Sequence, residues 1–294
     1  MASLKITNLN KTYPNGVKAL DDVSLEIGNG MFGLLGPNGA GKSSLMRTIA
    51  TLQEADSGRI FLDDLDVIKE PKELRKVLGY LPQEFGVYPR ITASQLLDHM
   101  AILKGVSNVK ERKQLVKYLL DKVNLYRQRD KSVKSFSGGM KQRVGIAQAL
   151  IGEPKLIIVD EPTAGLDPGE RNRFHNLLAE VGEEVVVILS THIVDDVKEL
   201  CTDMAIMNEG QIVYKGSPFS VLEDLKGMVW EKAIERSELE AHQAEFNIIS
   251  NKMVAGKPII HVLGESNPGE GFTEVPPSLE DVFFAKIQQT STVA

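Results

Sequence analysis

The chain has 294 residues, 42% of them hydrophobic and 25% charged, which excludes a disordered chain and leaves room for one large domain and a smaller one. Its net charge of −6 argues against a nucleic-acid polyanion as the main partner. Apolar runs such as 156–159 and 185–189 are far too short to span a bilayer, and residues 1–10 lack the basic start and apolar stretch of a signal peptide, so a cytosolic protein is expected. The single cysteine, Cys201, lies beside Leu200, Met204 and Ala205 and reads as a buried structural thiol. In chain order, alternation predicts strands at 4–9, 23–27, 30–35, 58–62 and 78–81, with a helix at 42–51. From residue 93 to about 150 the period becomes helical, with Leu96, Met100 and Leu103, then Leu115, Leu119 and Val123, on common faces. Nearly continuous apolar runs return at 156–159, 185–189 and 204–207, as expected of parallel strands buried on both faces, and a hairpin follows at 211–214. Gly216-Ser217-Pro218 and Gly227 mark an expected boundary between residues 1–225 and 226–294. Beyond it, a strand at 228–235, a helix at 237–245, strands at 248–254 and 258–263, and a helix at 278–287 form a small α+β unit.

The most specific stretch is Gly36-Pro37-Asn38-Gly39-Ala40-Gly41-Lys42-Ser43, with Ser44 following, which fits G-x-x-x-x-G-K-S/T between a strand and a helix. The glycines let backbone N–H groups curl around phosphate oxygens, and the helix N-terminus adds partial positive charge. Lys42 is expected on the β and γ phosphates of a nucleoside triphosphate, and Ser43 on Mg²⁺. A dinucleotide fingerprint does not fit, since Gly39-Ala40-Gly41 runs into Lys42, Ser43 and Ser44. The run 156–159 ends in Asp160-Glu161, two acids at the ligand-binding edge of the sheet. Asp160 suits the Mg²⁺ shell, and Glu161 suits a water that attacks phosphorus. A second glycine cluster, Ser137-Gly138-Gly139, opens a helix with a capping serine and exposed N–H groups that make another anion nest.

With the interval from Gly139 to Asp160, Ser135-Phe136-Ser137-Gly138-Gly139-Met140-Lys141-Gln142-Arg143 resembles the signature motif of ABC ATPases. That resemblance, over residues 1–225, implies roles for other residues. Tyr13 would stack on adenine, its aromaticity counting for more than its hydroxyl. Gln83, in Leu81-Pro82-Gln83-Glu84, would link the γ-phosphate and metal to a membrane partner. Asp167, in Gly165-Leu166-Asp167-Pro168, would sit at a dimer interface, and His192 would contact the γ-phosphate. The implied fold is α/β, a P-loop NTPase core with an antiparallel β portion and a helical subdomain over about 85–150, followed by the small C-terminal α+β unit. Phe136 and Met140 depart from the commonest signature, and methionine cannot replace a glutamine amide as a donor. The tail Pro276-Pro277-Ser278-Leu279-Glu280-Asp281-Val282-Phe283-Phe284 resembles ATP-binding subunits of bacterial type-2 exporters of the daunorubicin-resistance kind.

The resemblance implies ATP and Mg²⁺ as ligands and a homodimer in which the Ser137-Gly138-Gly139 nest of one protomer closes the nucleotide of the other. It also implies a separate integral membrane permease, docked near 83–90, that holds the protein on the cytoplasmic face. An ABC ATPase of a nucleic-acid or ribosomal machine is the alternative; the doubled cassettes and long coiled-coil insertions common there are missing. A GTPase is disfavoured because Asn251-Lys252 is followed by Met253-Val254 instead of completing Asn-Lys-x-Asp. His99, His175, His242 and His261 show no metal-ligand spacing and read as surface or structural.

Overall fold

The computed structural model describes residues 2–83, 86, 90–163, 165–182 and 185–291. Strands β1 (Leu4–Thr12) and β2 (Lys18–Ile27) pair antiparallel, and β3 (Gly30–Leu35) leads into α1 (Lys42–Ile49). β4 (Ser57–Leu62), β5 (Leu65–Asp66), α2 (Pro71–Val77) and β6 (Leu78–Leu81) precede three helices, α3 (Ala93–Leu103), α4 (Val109–Lys122) and α5 (Gly138–Ala149). The chain then alternates through β7 (Leu156–Asp160), α6 (Pro168–Val181), β8 (Val186–Thr191), α7 (Val194–Leu200) and β9 (Asp203–Asn208), and turns back as β10 (Gln211–Gly216). The remainder is α8 (Ser220–Asp224), β11 (Val229–Ala233), α9 (Leu239–Glu245), β12 (Ile248–Val254), β13 (Lys257–Leu263), β14 (Thr273–Glu274) and α10 (Leu279–Ser291).

A six-stranded sheet of order β10-β9-β3-β8-β7-β6 forms the centre, parallel except for β10. Its strands sort their side chains between two cores. Leu35, Leu81, Val159 and Leu189 enter the core shared with the helices. Phe32, Leu34, Ile158 and Ile188 enter a second core with Leu4, Leu20 and Ile60 of the antiparallel sheet β2-β1-β4-β5. Burial on both faces explains why these strands read as continuous apolar runs. Helix α3 starts at a Thr92 capping box with Gln95, and the Asn108 side chain caps α4. Phe136 is buried in the helical core, and Met140 packs against it. The two departures from the usual signature are thus apolar side chains with packing partners.

The C-terminal strands form a sheet of order β12-β13-β11-β14. Helix α10 carries Val282 and Phe283 into the same core as Met204, Ile206 and Val221. Its start is held by a buried acid: Asp281 accepts the Ser278 hydroxyl at 2.6 Å and lies 2.7 Å from His261 Nδ1, whose Nε2 lies 3.1 Å from Glu231.

Several boundaries differ from the sequence expectation. β1 reaches Thr12 and β2 begins at Lys18, because irregular register and left-handed Asn8 and Asp22 (φ 48° and 54°) interrupt the alternation. α1 stops at Ile49 because Thr51 turns left-handed, φ 57°. Cys201 is buried, and burial pushes its thiol far above the usual range.

Candidate functional site

The glycine loop is wedged between strands. Gly41, at φ 105°, precedes α1, and a Cβ there would lie 2.3 Å from the Ala19 carbonyl oxygen and 2.7 Å from Met207 Cε. A Cβ on Gly36 would lie 2.5 Å from the Met207 carbonyl oxygen. These two positions admit only glycine, which leaves the loop amides as a cradle at the N-terminus of α1. Lys42 is buried, and its Nζ donates to the carbonyls of Gly36 at 2.6 Å and Pro37 at 3.2 Å. Burial lowers its pKa, against the raising influence of Glu161 and Asp160.

β7 and β8 end beside this loop. Asp160 is buried, and its Oδ1 has no hydrogen-bond partner among the described residues. Burial pushes its carboxyl above the usual range, opposed by Ser190, Lys42 and Ser43. A buried carboxylate oxygen without a donor, near a serine hydroxyl and an anion cradle, fits a hard cation such as Mg²⁺. Glu161 follows in a left-handed conformation, φ 50°, its N–H donating to the Ser190 carbonyl at 2.8 Å. A non-glycine residue held in that region stores backbone strain at the strand end. Its Oε2 lies 2.7 Å from His192 Nδ1. A carboxylate only accepts, so Nδ1 carries the proton in this pair.

Tyr13, the loop residues Pro37, Asn38, Gly39, Ala40, Gly41, Lys42, Ser43 and Ser44, and Gln83, Glu161 and His192 all line one cavity of about 400 Å³. The Tyr13 hydroxyl lies 3.0 Å from Ser44 Oγ and donates to Gln53 Oε1 at 3.0 Å. The ring is therefore tethered to α1 through its hydroxyl, a part for that group that the sequence does not signal. Of the segment expected to dock a partner, Glu84, Phe85, Val87, Tyr88 and Pro89 lie outside the described residues.

Ser137, Gly138, Gly139 and Asp167 do not line this cavity. Ser137 caps α5, accepting from the Met140 N–H at 3.3 Å. A Cβ on Gly139 would lie 2.4 Å from the Glu170 carboxylate, so this glycine also lets α5 and α6 approach. Asp167 caps α6, accepting from the Glu170 N–H at 2.9 Å. The sequence reading missed a buried group that does not line the cavity, in which Asp196 meets Thr163, Arg171 and His175. Its signal was present: Ile193, Asp196, Val197 and Leu200 share one helical face, and an acid on an apolar face needs partners.

The ABC transporter family profile matches residues 20–164. The probable multidrug ABC transporter ATP-binding protein YbhF of Escherichia coli (strain K12) is 32% identical over 300 residues, covering 96% of this chain; the chain spans 51% of the length of YbhF. The daunorubicin/doxorubicin resistance ATP-binding protein DrrA of Streptomyces peucetius is 30% identical over 90% of this chain and 78% of its own. The phosphonates import ATP-binding protein PhnC 2 of Haloarcula marismortui is 35% identical over 73% and 84%. Among solved structures, the dimeric ATP-binding cassette MJ0796 bound to ADP and Pi superposes with a TM-score of 0.67 at 27% identity, over 73% of this chain and 98% of that one. Identity of 30% and 35%, sustained over most of DrrA and PhnC 2, goes beyond a shared fold: the chain belongs to the ATP-binding proteins of ABC transporters.

Proposed function

We propose that this chain binds and hydrolyses ATP as one half of a two-fold pair and powers a separate membrane permease in export. The observation that carries the reading is the single cavity lined by Tyr13, the glycine loop, Gln83, Glu161 and His192. In it the loop amides and Lys42 hold the phosphates, Tyr13 meets the base, and Glu161 orients the attacking water, its carboxylate held by His192. Ser43, Asp160 and Gln83 would hold Mg²⁺, which when bound supplies positive charge against the phosphates. Ser137, Gly138, Gly139 and Asp167 are not among the residues that line this cavity, which suits their use on the nucleotide of a second protomer.

Among the described residues no helix is long and apolar enough to cross a membrane. A mostly apolar cleft of about 430 Å³ lined by Tyr80, Pro82, Gly86, Leu96, Met100 and Leu103 adjoins Gln83 and suits a cytoplasmic helix of a permease. The resistance in the name of DrrA and the multidrug transport in that of YbhF favour export over the import named for PhnC 2.

Lys42→Ala tests the ATPase reading. The variant should fold normally and lose hydrolysis, because the loop backbone is unchanged while the charge on the phosphates is gone. Wild-type turnover in pure Lys42→Ala protein would remove the assignment. For docking, Arg90→Glu should break transport and co-purification with the permease while sparing hydrolysis by the isolated subunit; normal behaviour would move the contact elsewhere.

A further inference from the structure

A buried acid that does not line the cavity is bonded to side chains from two neighbouring segments of the chain. Asp196 lies in the first turn of α7 and has no exposed surface. Its Oδ2 accepts the Thr163 hydroxyl, and its Oδ1 accepts from Arg171 Nε at 2.8 Å and lies 2.9 Å from His175 Nε2. The other ring nitrogen of His175 lies 2.8 Å from Glu199 Oε2. A ring that faces a carboxylate at each nitrogen is best satisfied as imidazolium, and the bond to Asp196 holds His175 above its ordinary pKa. Arg171 and His175 thus balance Asp196 and Glu199, so the buried charge is compensated.

The partners come from the segments that carry the proposed chemistry. Thr163 lies just beyond Glu161, Arg171 lies near the start of the helix that Asp167 caps, and Asp196 lies one turn beyond His192. Helix α7 has no side-chain cap at Ile193. Its start is held to its surroundings by Asp196 instead. A carboxylate gripped by donors from a loop and a second helix fixes directions as well as volume, which an apolar side chain of similar size would not do.

We propose that Asp196 is a positioning residue for hydrolysis. It pins Thr163, two residues beyond Glu161, and Arg171, in the helix that Asp167 caps, against the start of α7, so that Glu161, its His192 partner and Asp167 keep one spacing. This inference rests on the ATPase reading above.

The test compares Asp196→Asn, Asp196→Glu and Thr163→Val with wild type and Lys42→Ala in the full chain. Hydrolysis is read as kcat and KM for Mg·ATP, with kcat normalised to the fraction of protein that binds a fluorescent ATP analogue. That normalisation removes the effect of a variant that is merely less folded. Loss of position alone should lower kcat by about 10–100-fold in Asp196→Asn and about 3–10-fold in Thr163→Val, with KM within about twofold. Asp196→Glu should retain more activity than Asp196→Asn. Thr163→Val keeps the side-chain volume and answers the question if Asp196→Asn fails to fold. A normalised kcat within twofold of wild type in the folded variants, or a loss carried wholly by KM, overturns the inference while leaving the ATPase reading intact. A wild type that does not hydrolyse ATP, or a Lys42→Ala that matches it, overturns both.

Discussion

Gly41→Ala is expected to cost far more than Gly39→Ala, although both change a glycine of one loop. Both residues have positive φ, 105° and 85°. That region costs an L-residue roughly 1–2 kcal/mol. Beyond this shared cost, a Cβ on Gly41 would lie 2.3 Å from the Ala19 carbonyl oxygen and 2.7 Å from Met207 Cε, whereas one on Gly39 meets nothing within 4 Å. The methionine end can swing aside. The Ala19 carbonyl belongs to β2 and cannot move without disturbing that strand. Overpacking against such a fixed neighbour costs about 1–3 kcal/mol, for a total of about 2–5 kcal/mol at Gly41 against about 1–2 kcal/mol at Gly39. Urea unfolding followed by circular dichroism compares the two, and binding of a fluorescent ATP analogue reports the loop. Gly41→Ala should unfold at clearly lower urea and bind ATP weakly, since the loop must lift from β2. Equal midpoints and equal affinities would refute the claim that the loop is wedged in place.

Tyr13→Ala should weaken ATP binding about tenfold through loss of the base-stacking face. Tyr13→Phe, which gives up only the tether to Ser44 and Gln53, should cost less than threefold; an unchanged affinity in Tyr13→Ala would make Tyr13 a packing residue. The His261–Asp281 pair predicts a two-sided pH dependence. The bond to Asp281 raises the pKa of His261, so its contribution to stability is complete below about pH 6.5 and is lost as pH rises through the raised value. Burial works to raise the pKa of Asp281, but bonds from His261 and Ser278 lower it overall, so its contribution is present above about pH 3.9 and is lost as pH falls through the lowered value. Urea midpoints measured across pH should therefore fall on both sides, and His261→Gln should flatten the alkaline side except for the share of His175, which is shifted in the same direction. An alkaline limb of full size in His261→Gln would refute the linkage.

The glycine loop was legible because its geometry is local: a strand, a glycine turn and a helix start lie within one short stretch, and its glycines answer to backbone requirements. The central strands were legible as apolar runs, since burial on both faces removes polar alternation. What local pattern hides is contact. Thr163, Arg171 and His175 each look like ordinary loop or surface residues until folding brings Asp196 between them. In the same way, no periodicity says that Val282 and Phe283 of the last helix share a core with Met204 and Ile206. The bulged ends of β1 and β2 escaped because left-handed Asn8 and Asp22 shift the side-chain phase. The signature departures carried a readable chemical signal, the loss of an amide at Met140, but only packing shows what the apolar replacements do.

The central claim is that ATP joins two copies of this chain and that Glu161 then drives hydrolysis, and one measurement reaches both halves. Glu161→Gln keeps the side-chain shape and removes the charge that orients water, while leaving Lys42, Ser43 and the loop amides in place. Size-exclusion chromatography of Glu161→Gln with ATP and Mg²⁺ should show a shift from monomer to dimer, with hydrolysis abolished, and adding Ser137→Arg to block the opposing anion nest should cancel the shift. A Glu161→Gln protein that hydrolyses ATP at the wild-type rate, or that stays monomeric with ATP bound, would contradict the account.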